Sequence, residues 1–231
     1  ELAQRLGMAY VGTVNAVGLR LVAEYAVEAG LSPEVGVLPE DGGRFLHALL
    51  ERVLSDAEQR SLDALAWRLR IHYDAQRGTV DWHSDVFAIV DFARMNRIGP
   101  EALPAMAERA WQSYAVLFDP PGDAEALDAD LHAALDEAAE RYDRNDKTKT
   151  LQTFLGTVGA RRQELASDIW DAWGALAKAE LGKPNYGRRD ALRAAAATVL
   201  SHPRLHADVA AYLRASYAAA AAMLATFAEW K

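Results

Sequence analysis

Apolar residues recur every three to four positions along most of this chain of 231 residues. That spacing places them on one face of an α-helix, whereas a half-buried strand would need strict alternation. Proline and glycine interrupt the pattern at intervals, as in Asp119-Pro120-Pro121-Gly122, and such residues end helices. The interrupted pattern predicts an all-α fold, a multi-helix bundle of about eight helices.

The composition agrees with a helical core. Apolar residues make up 51% of the chain, which is enough to bury a core. Alanine is abundant while threonine and isoleucine are sparse, and this balance favours helix over strand. The longest uninterrupted pattern covers residues 148–181 and predicts one helix of about 50 Å. A helix of that length either crosses a monomeric bundle or pairs with a second copy in a homodimer.

The domain organisation has two interpretations. The first is a single domain over residues 1–231. The second divides the chain at the polar joint near Arg144, where charged and amide residues replace the apolar pattern. That joint would separate sub-bundles over residues 1–143 and 144–231.

Charge and cysteine content exclude several classes of site and partner. The chain has no cysteine, which excludes disulfides, thiolate metal sites and cysteine nucleophiles. Its net charge of −8 makes the average surface repel nucleic acid and anionic membranes. The N-terminal residues lack the pattern of a signal peptide, and no apolar run reaches the roughly 18 residues that span a bilayer. We therefore expect a cytoplasmic protein with no membrane partner.

One candidate metal site lies on either side of Gly78. Zinc, iron and manganese accept imidazole and carboxylate ligands together. On one helix, Asp81 and Asp85 would share a face, while His83 would point away from Asp81. Alternatively, Asp81 caps a helix that begins after Gly78. The candidate ligands are His72, Asp74, Asp81 and His83, with Asp85 beside them.

A second candidate metal site is the pair His202 and His206. Two imidazoles four residues apart can hold one metal on a helical face. Pro203, however, is typical of the first helical turn, so His202 also suits a capping position. The sequence contains no Glu-x-x-His, which argues against a carboxylate-bridged di-iron centre. A transition metal is the cofactor that these two clusters indicate.

Basic residues gather in one short segment of an otherwise acidic chain. The segment contains Lys183, Arg188, Arg189 and Arg193, and Gly187 precedes a predicted helix. Free amide groups at the start of a helix attract anions. The pattern predicts either an anion-binding site or a solvated loop with ordinary surface charges.

The N-terminal segment of residues 1–21, ELAQRLGMAYVGTVNAVGLRL, resembles the helix-turn-helix of bacterial regulators. Leu-Ala-x-x-Leu-Gly opens that motif, and Val14 would lie at the start of the recognition helix. The resemblance is confined to these residues and implies a DNA-binding regulator. The alternative is an ordinary core helix over residues 1–30.

Established catalytic motifs are absent from the sequence. It has no phosphate-binding glycine loop, no G-x-S-x-G, no H-E-x-x-H and no dinucleotide fingerprint. The leading hypothesis is therefore a helical binding or regulatory domain that holds a small ligand or a partner protein. Aromatic residues are available to line a pocket for a flat ligand; they include Trp67, Trp82, Trp111, Trp170 and Trp173. The alternatives are a helical metalloenzyme and a DNA-binding regulator.

Overall fold

The computed structural model describes residues 13–28, 42–140, 149–180 and 186–229. Within these ranges the chain forms ten α-helices and no strand, which confirms the all-α bundle with two helices more than expected. The helices are α1 Val14–Glu24, α2 Gly42–Val53, α3 Asp56–Leu69, α4 His83–Met95, α5 Leu103–Ala115, α6 Ala124–Glu140, α7 Lys149–Leu165, α8 Asp171–Ala177, α9 Tyr186–Ala197 and α10 Pro203–Glu229. None of the described helices is long and apolar enough to cross a bilayer.

The first hydrophobic core surrounds the C-terminal half of α10. Helix α10 has 27 residues and is about 40 Å long, and it contacts α2, α3, α4 and α5. These helices bury their apolar faces against it, as their helical spacing requires. The buried side chains of this core include Leu50, Leu62, Trp82, Val86, Leu103 and Met223.

The second hydrophobic core is formed by α6 to α9 together with the start of α10. Helix α9 packs on α6 and on α8. Helix α7 also packs on α6 and on α8. The buried side chains of this core include Leu131, Leu135, Phe154, Trp173, Leu176 and Leu192. Because α10 contributes to both cores, it joins them along one helix. The division of the chain near Arg144 lies outside the described residues and stays a prediction.

The long helix over residues 148–181 was a wrong prediction. The chain leaves the helix after Leu165, turns through Asp168 with φ of 53°, and begins α8 at Asp171. The apolar spacing continues through this break, where Ile169 and Trp170 are buried. The apolar periodicity of the sequence therefore predicts one helix where the structure has two. The homodimer hypothesis rested on the length of this helix, so the helix no longer supports it.

Helix α3 also ends earlier than its apolar pattern indicates, at Leu69 instead of about Gln76. Its start has the predicted capping box, in which Ser55 and Glu58 exchange hydrogen bonds. At its end Arg70 adopts a left-handed conformation with φ of 54°, and the N–H of Ile71 bonds to the carbonyl of Ala66. The turn that follows returns the chain to α4 and places residue 72 beside that helix.

Candidate functional site

A cleft of about 540 Å³ lies between α4, α5 and α10. We call it the Asp85 cleft, after the carboxylate in its wall. The side chains around it are mostly apolar or aromatic. They are Leu69, Ile71, Asp85, Ala88, Ile89, Ala110, Tyr114, Phe118, Val209, Tyr212, Leu213, Ser216 and Tyr217.

Helical spacing explains how the walls form. The lining residues of α10 fall at positions 209, 212, 213, 216 and 217, and those of α4 at positions 85, 88 and 89. Residues three and four apart share one helical face, so each helix presents a single stripe to the cleft. The stripe of α10 is apolar except for a few hydroxyl groups, which leaves Asp85 as the strongest polar group in the wall.

Asp85 binds a partner with each of its carboxylate oxygens. His72 Nε2 lies 2.9 Å from Oδ1, and the Tyr212 hydroxyl donates to Oδ2 at 2.6 Å. Tyr212 is buried at 6% exposure, whereas the side chain of His72 is 56% exposed. The three side chains thus form a chain of hydrogen bonds that runs from solvent through Asp85 to the buried core.

The surroundings of this triad fix its protonation. Burial raises the pKa of Tyr212, and the hydrogen bond to Asp85 raises it further, so the phenol remains a hydrogen-bond donor. The hydrogen bond to Asp85 also raises the pKa of His72 above its usual value. Asp85 therefore joins the two partners of the triad.

Asp85→Asn is expected to lower the pKa of His72 toward the ordinary histidine value, because the hydrogen bond to the carboxylate is the main cause of the increase. The ring signals of His72 in an NMR titration would measure this pKa. His132, on the exposed surface of α6, is the internal control, and its ring signals should be the same in both proteins. A His72 pKa that does not change in the variant would contradict this contact.

Ser216 adds a second buried polar group to the cleft. It is 2% exposed, and its Oγ has no hydrogen-bond partner of good geometry among the described residues. The hydroxyl is close enough to Tyr212 to lower the pKa of that phenol by a minor amount. An unsatisfied buried hydroxyl is costly, so a ligand group or water at this point would be stabilised.

The metal ligands predicted around Gly78 divide into separate pairs. His72 bonds to Asp85. Asp81 Oδ1 accepts the N–H of His83 at 3.1 Å and lies 3.4 Å from its Nδ1. Asp74 Oδ1 accepts the N–H groups of residues 76 and 77 and closes the turn before Gly78. The predicted cap role of Asp81 was wrong, because the residue at the cap position of α4 is Trp82, which makes no side-chain capping bond, and Asp81 contacts the first turn from one residue before it.

His202 and His206 bind different partners. His202 precedes α10, and its Nδ1 accepts the N–H of Arg204 at 3.2 Å, which is the arrangement of a helix cap. Its Nε2 lies 3.3 Å from Asp128 Oδ1, while His206 Nε2 lies 2.7 Å from the carbonyl oxygen of Leu200. Across the described ranges, no three histidine or carboxylate side chains are grouped to hold a metal. A transition-metal cofactor stays an untested prediction.

The predicted anion site is described only in part. Lys183 lies outside the described residues, and nothing is described of the Arg188 side chain. Arg193 Nε donates to the carbonyl of Ala179 at 2.7 Å and bonds to the carboxylate of Glu180. Arg189 bonds to Asp190 at 2.8 Å. Both described arginines are therefore paired with carboxylates that an added anion would have to displace.

The N-terminal motif falls mostly outside the described residues, which begin at Thr13. An unbroken helix over residues 1–30 was a wrong prediction. Thr13 has an extended backbone, and its hydroxyl accepts the N–H of Ala16, so α1 begins at Val14. The DNA-binding hypothesis itself stays a prediction.

The aromatic residues that line the cleft differ from those singled out in the sequence. No tryptophan is among the lining residues, and Trp82, Trp170 and Trp173 are buried in the two cores. Tyrosine and phenylalanine line the cleft instead, at Tyr114, Phe118, Tyr212 and Tyr217. The signal that could have indicated this site is the pair Tyr212 and Ser216, two hydroxyl residues four apart within an alanine-rich stripe.

Comparison of the chain with models of known protein families, with curated proteins and with solved structures found no match.

Proposed function

We propose that this protein is a helical binding domain that holds a small, largely apolar molecule in the Asp85 cleft. The observation that carries the proposal is a cleft of about 540 Å³ with apolar and aromatic walls and a few convergent polar groups. Small-molecule sites in proteins have volumes of about 300–1,000 Å³ and this kind of lining. A ligand here would bury its apolar part against α4, α5 and α10.

The polar groups of the cleft support binding rather than covalent catalysis. Tyr212 is held as a protonated donor because burial raises its pKa, so it is a poor nucleophile. Ser216 Oγ has no histidine or carboxylate within hydrogen-bonding distance among the described residues, and a serine nucleophile needs an adjacent base. These groups can orient a ligand through hydrogen bonds, which is the usual role of polar groups in an apolar pocket.

The proposal predicts that the cleft binds a neutral aromatic probe and that filling the cleft prevents it. We expect 1-naphthalenemethanol to bind with a dissociation constant of about 1 mM or tighter, as is typical of a ligand this small. Ala110→Phe should weaken this binding roughly ten-fold or more, because the added ring occupies the space between α5 and α10. Isothermal titration calorimetry or NMR shift titration would measure the affinity.

Ala129→Phe is the matched control, since Ala129 is an exposed residue of α6 that does not line the cleft. It should bind the probe as the unmodified protein does. Circular dichroism and thermal unfolding would establish that both variants remain folded. Absence of binding by the unmodified protein at millimolar probe, or equal binding by Ala110→Phe, would refute the proposed function.

A further inference from the structure

Asp85 is the only residue with a formal charge among the described residues that line the cleft. Its side chain is 37% exposed, so the carboxylate is partly withdrawn from water and partly accessible. No arginine or lysine lines the cleft beside it. The one charged group of this wall is therefore a hydrogen-bond acceptor, which cannot donate to a carboxylate or phosphate ligand, and His72 bonds to its Oδ1 from outside the lining.

The two hydrogen bonds of Asp85 do not use its full capacity as an acceptor. An ionised carboxylate offers about four lone-pair positions on its two oxygens. His72 uses one at Oδ1, and Tyr212 uses one at Oδ2. Tyr212 and His72 also hold the carboxylate in place. A hydrogen-bond donor on a ligand would therefore meet a carboxylate that is already oriented. The ligand group that fits this position is a hydrogen-bond donor, and a charged donor forms the stronger bond.

The aromatic lining favours the same ligand chemistry. Tyr114, Phe118 and Tyr217 line the cleft together with Tyr212. The faces of aromatic rings attract cations, and this attraction grows where the cation is desolvated. An apolar body attached to a cation would use both the rings and the aliphatic walls. A neutral ligand would lack the attraction between a cation and the rings.

From this arrangement we infer that the ligand class of the Asp85 cleft is an organic cation, an amine with an apolar or aromatic body whose ammonium group bonds to Asp85. The inference rests on the proposed function, since it assigns the ligand of the same cleft. Tyr212 and His72 are positioning residues that orient Asp85.

Three ligands that share one ring system test this inference. They are 1-naphthalenemethylamine, 1-naphthalenemethanol and 1-naphthoate, which are cationic, neutral and anionic at neutral pH. We expect the amine to bind roughly ten-fold or more tightly than the alcohol, because a charge-assisted hydrogen bond is the stronger one. The anion should bind most weakly. Isothermal titration calorimetry at constant ionic strength would measure all three affinities on the unmodified protein.

Asp85→Asn should abolish the preference for the amine over the alcohol, because the amide that replaces the carboxylate carries no charge. Asp130→Asn is the matched control, because it removes one exposed carboxylate from α6, away from the cleft, and should not change the preference for the amine. Equal binding of amine and alcohol by the unmodified protein would overturn the cation inference while leaving the proposed function in place. If none of the three ligands bound, both would fail. The comparison on the unmodified protein needs no variant, so it decides the question even if Asp85→Asn does not fold.

Discussion

Replacement of His202 by alanine is expected to lower the free energy of unfolding by about 2–4 kcal/mol. His202 is completely buried, at 0% exposure, and its ring packs against Trp170 and Trp173 with centroids 4.9 and 5.5 Å away. The substitution removes this packing in the second core. It also removes the ring nitrogen that accepts the N–H of Arg204, and loss of a helix cap costs about 1 kcal/mol by itself.

Chemical denaturation of the variant would measure this loss. His202→Asn separates the two contributions, since an asparagine side chain can cap α10 but cannot replace the ring between the tryptophans. It should be less destabilised than His202→Ala. His132→Ala is the control, because His132 is exposed on α6, and it should change the free energy of unfolding by less than about 0.5 kcal/mol. A similar effect of His132→Ala and His202→Ala would contradict the role of His202.

The same residue should make the fold sensitive to acid. Burial lowers the pKa of His202, so its ring stays neutral in the folded protein where the unfolded chain takes up a proton, near pH 6.5. Unfolding therefore binds a proton, and the stability associated with His202 is complete above that pH. This stability is lost as the pH falls from about 6.5 toward the lower pKa of His202 in the folded protein. Over that range the free energy of unfolding decreases by at most about 1.4 kcal/mol per pH unit.

Comparison of the unmodified protein with His202→Asn between pH 7.5 and 5 would isolate this contribution. The raised pKa of His72 acts in the opposite direction, because its stabilisation is present at low pH and is lost as the pH rises. Both proteins retain His72, so its effect cancels in the difference. The difference in unfolding free energy should narrow as the pH falls. A constant difference would show that His202 does not titrate differently on folding.

The second large effect is expected for Asp208→Ala, which should lower the free energy of unfolding by about 2–3 kcal/mol. Asp208 accepts two hydrogen bonds from Arg68, at 2.8 and 2.6 Å, and one from the indole N–H of Trp170 at 2.8 Å. Its side chain is only 15% exposed. Without the carboxylate, the Arg68 guanidinium and the indole N–H lose their partner. The partial exposure of Arg68 keeps the expected loss below that of a fully buried ion pair.

This network joins parts of the chain that are distant in sequence. Arg68 is in the last turn of α3, Trp170 precedes α8, and Asp208 is in α10. The backbone N–H of Trp170 also bonds to the carbonyl of Arg68, which satisfies a carbonyl left free at the end of α3. The contacts therefore connect a helix of the first core with the second core.

Thermal and chemical unfolding of Asp208→Ala would test the network, with Asp130→Ala as the control at an exposed carboxylate of α6. Arg68→Ala and the double variant complete a mutant cycle. We expect the double variant to be less destabilised than the sum of the single variants, because each single change already breaks the same contact. Additive effects would show that the two residues stabilise the fold independently.

Local patterns predicted the features of the fold that depend on neighbouring residues. The capping box at Ser55 and Glu58 and the start of α10 at Pro203 both follow from residues within one helical turn. The break between α7 and α8 could not be predicted in this way. Asp168 is not glycine, yet it adopts a positive φ, and the two residues that follow it, Ile169 and Trp170, are buried.

The sequence by itself determined an all-α protein, because helical periodicity and helix-breaking residues are local properties of the chain. The sequence also indicated Asp85 and its neighbours as a candidate site, but only together with histidines that are close by in the sequence. The tertiary structure alone decided that Tyr212, 127 positions away, donates to Asp85. That contact depends on how α4 and α10 cross, which is fixed by the packing of whole helices against each other. The Asp85 cleft exists for the same reason, since its wall combines α4, α5 and α10.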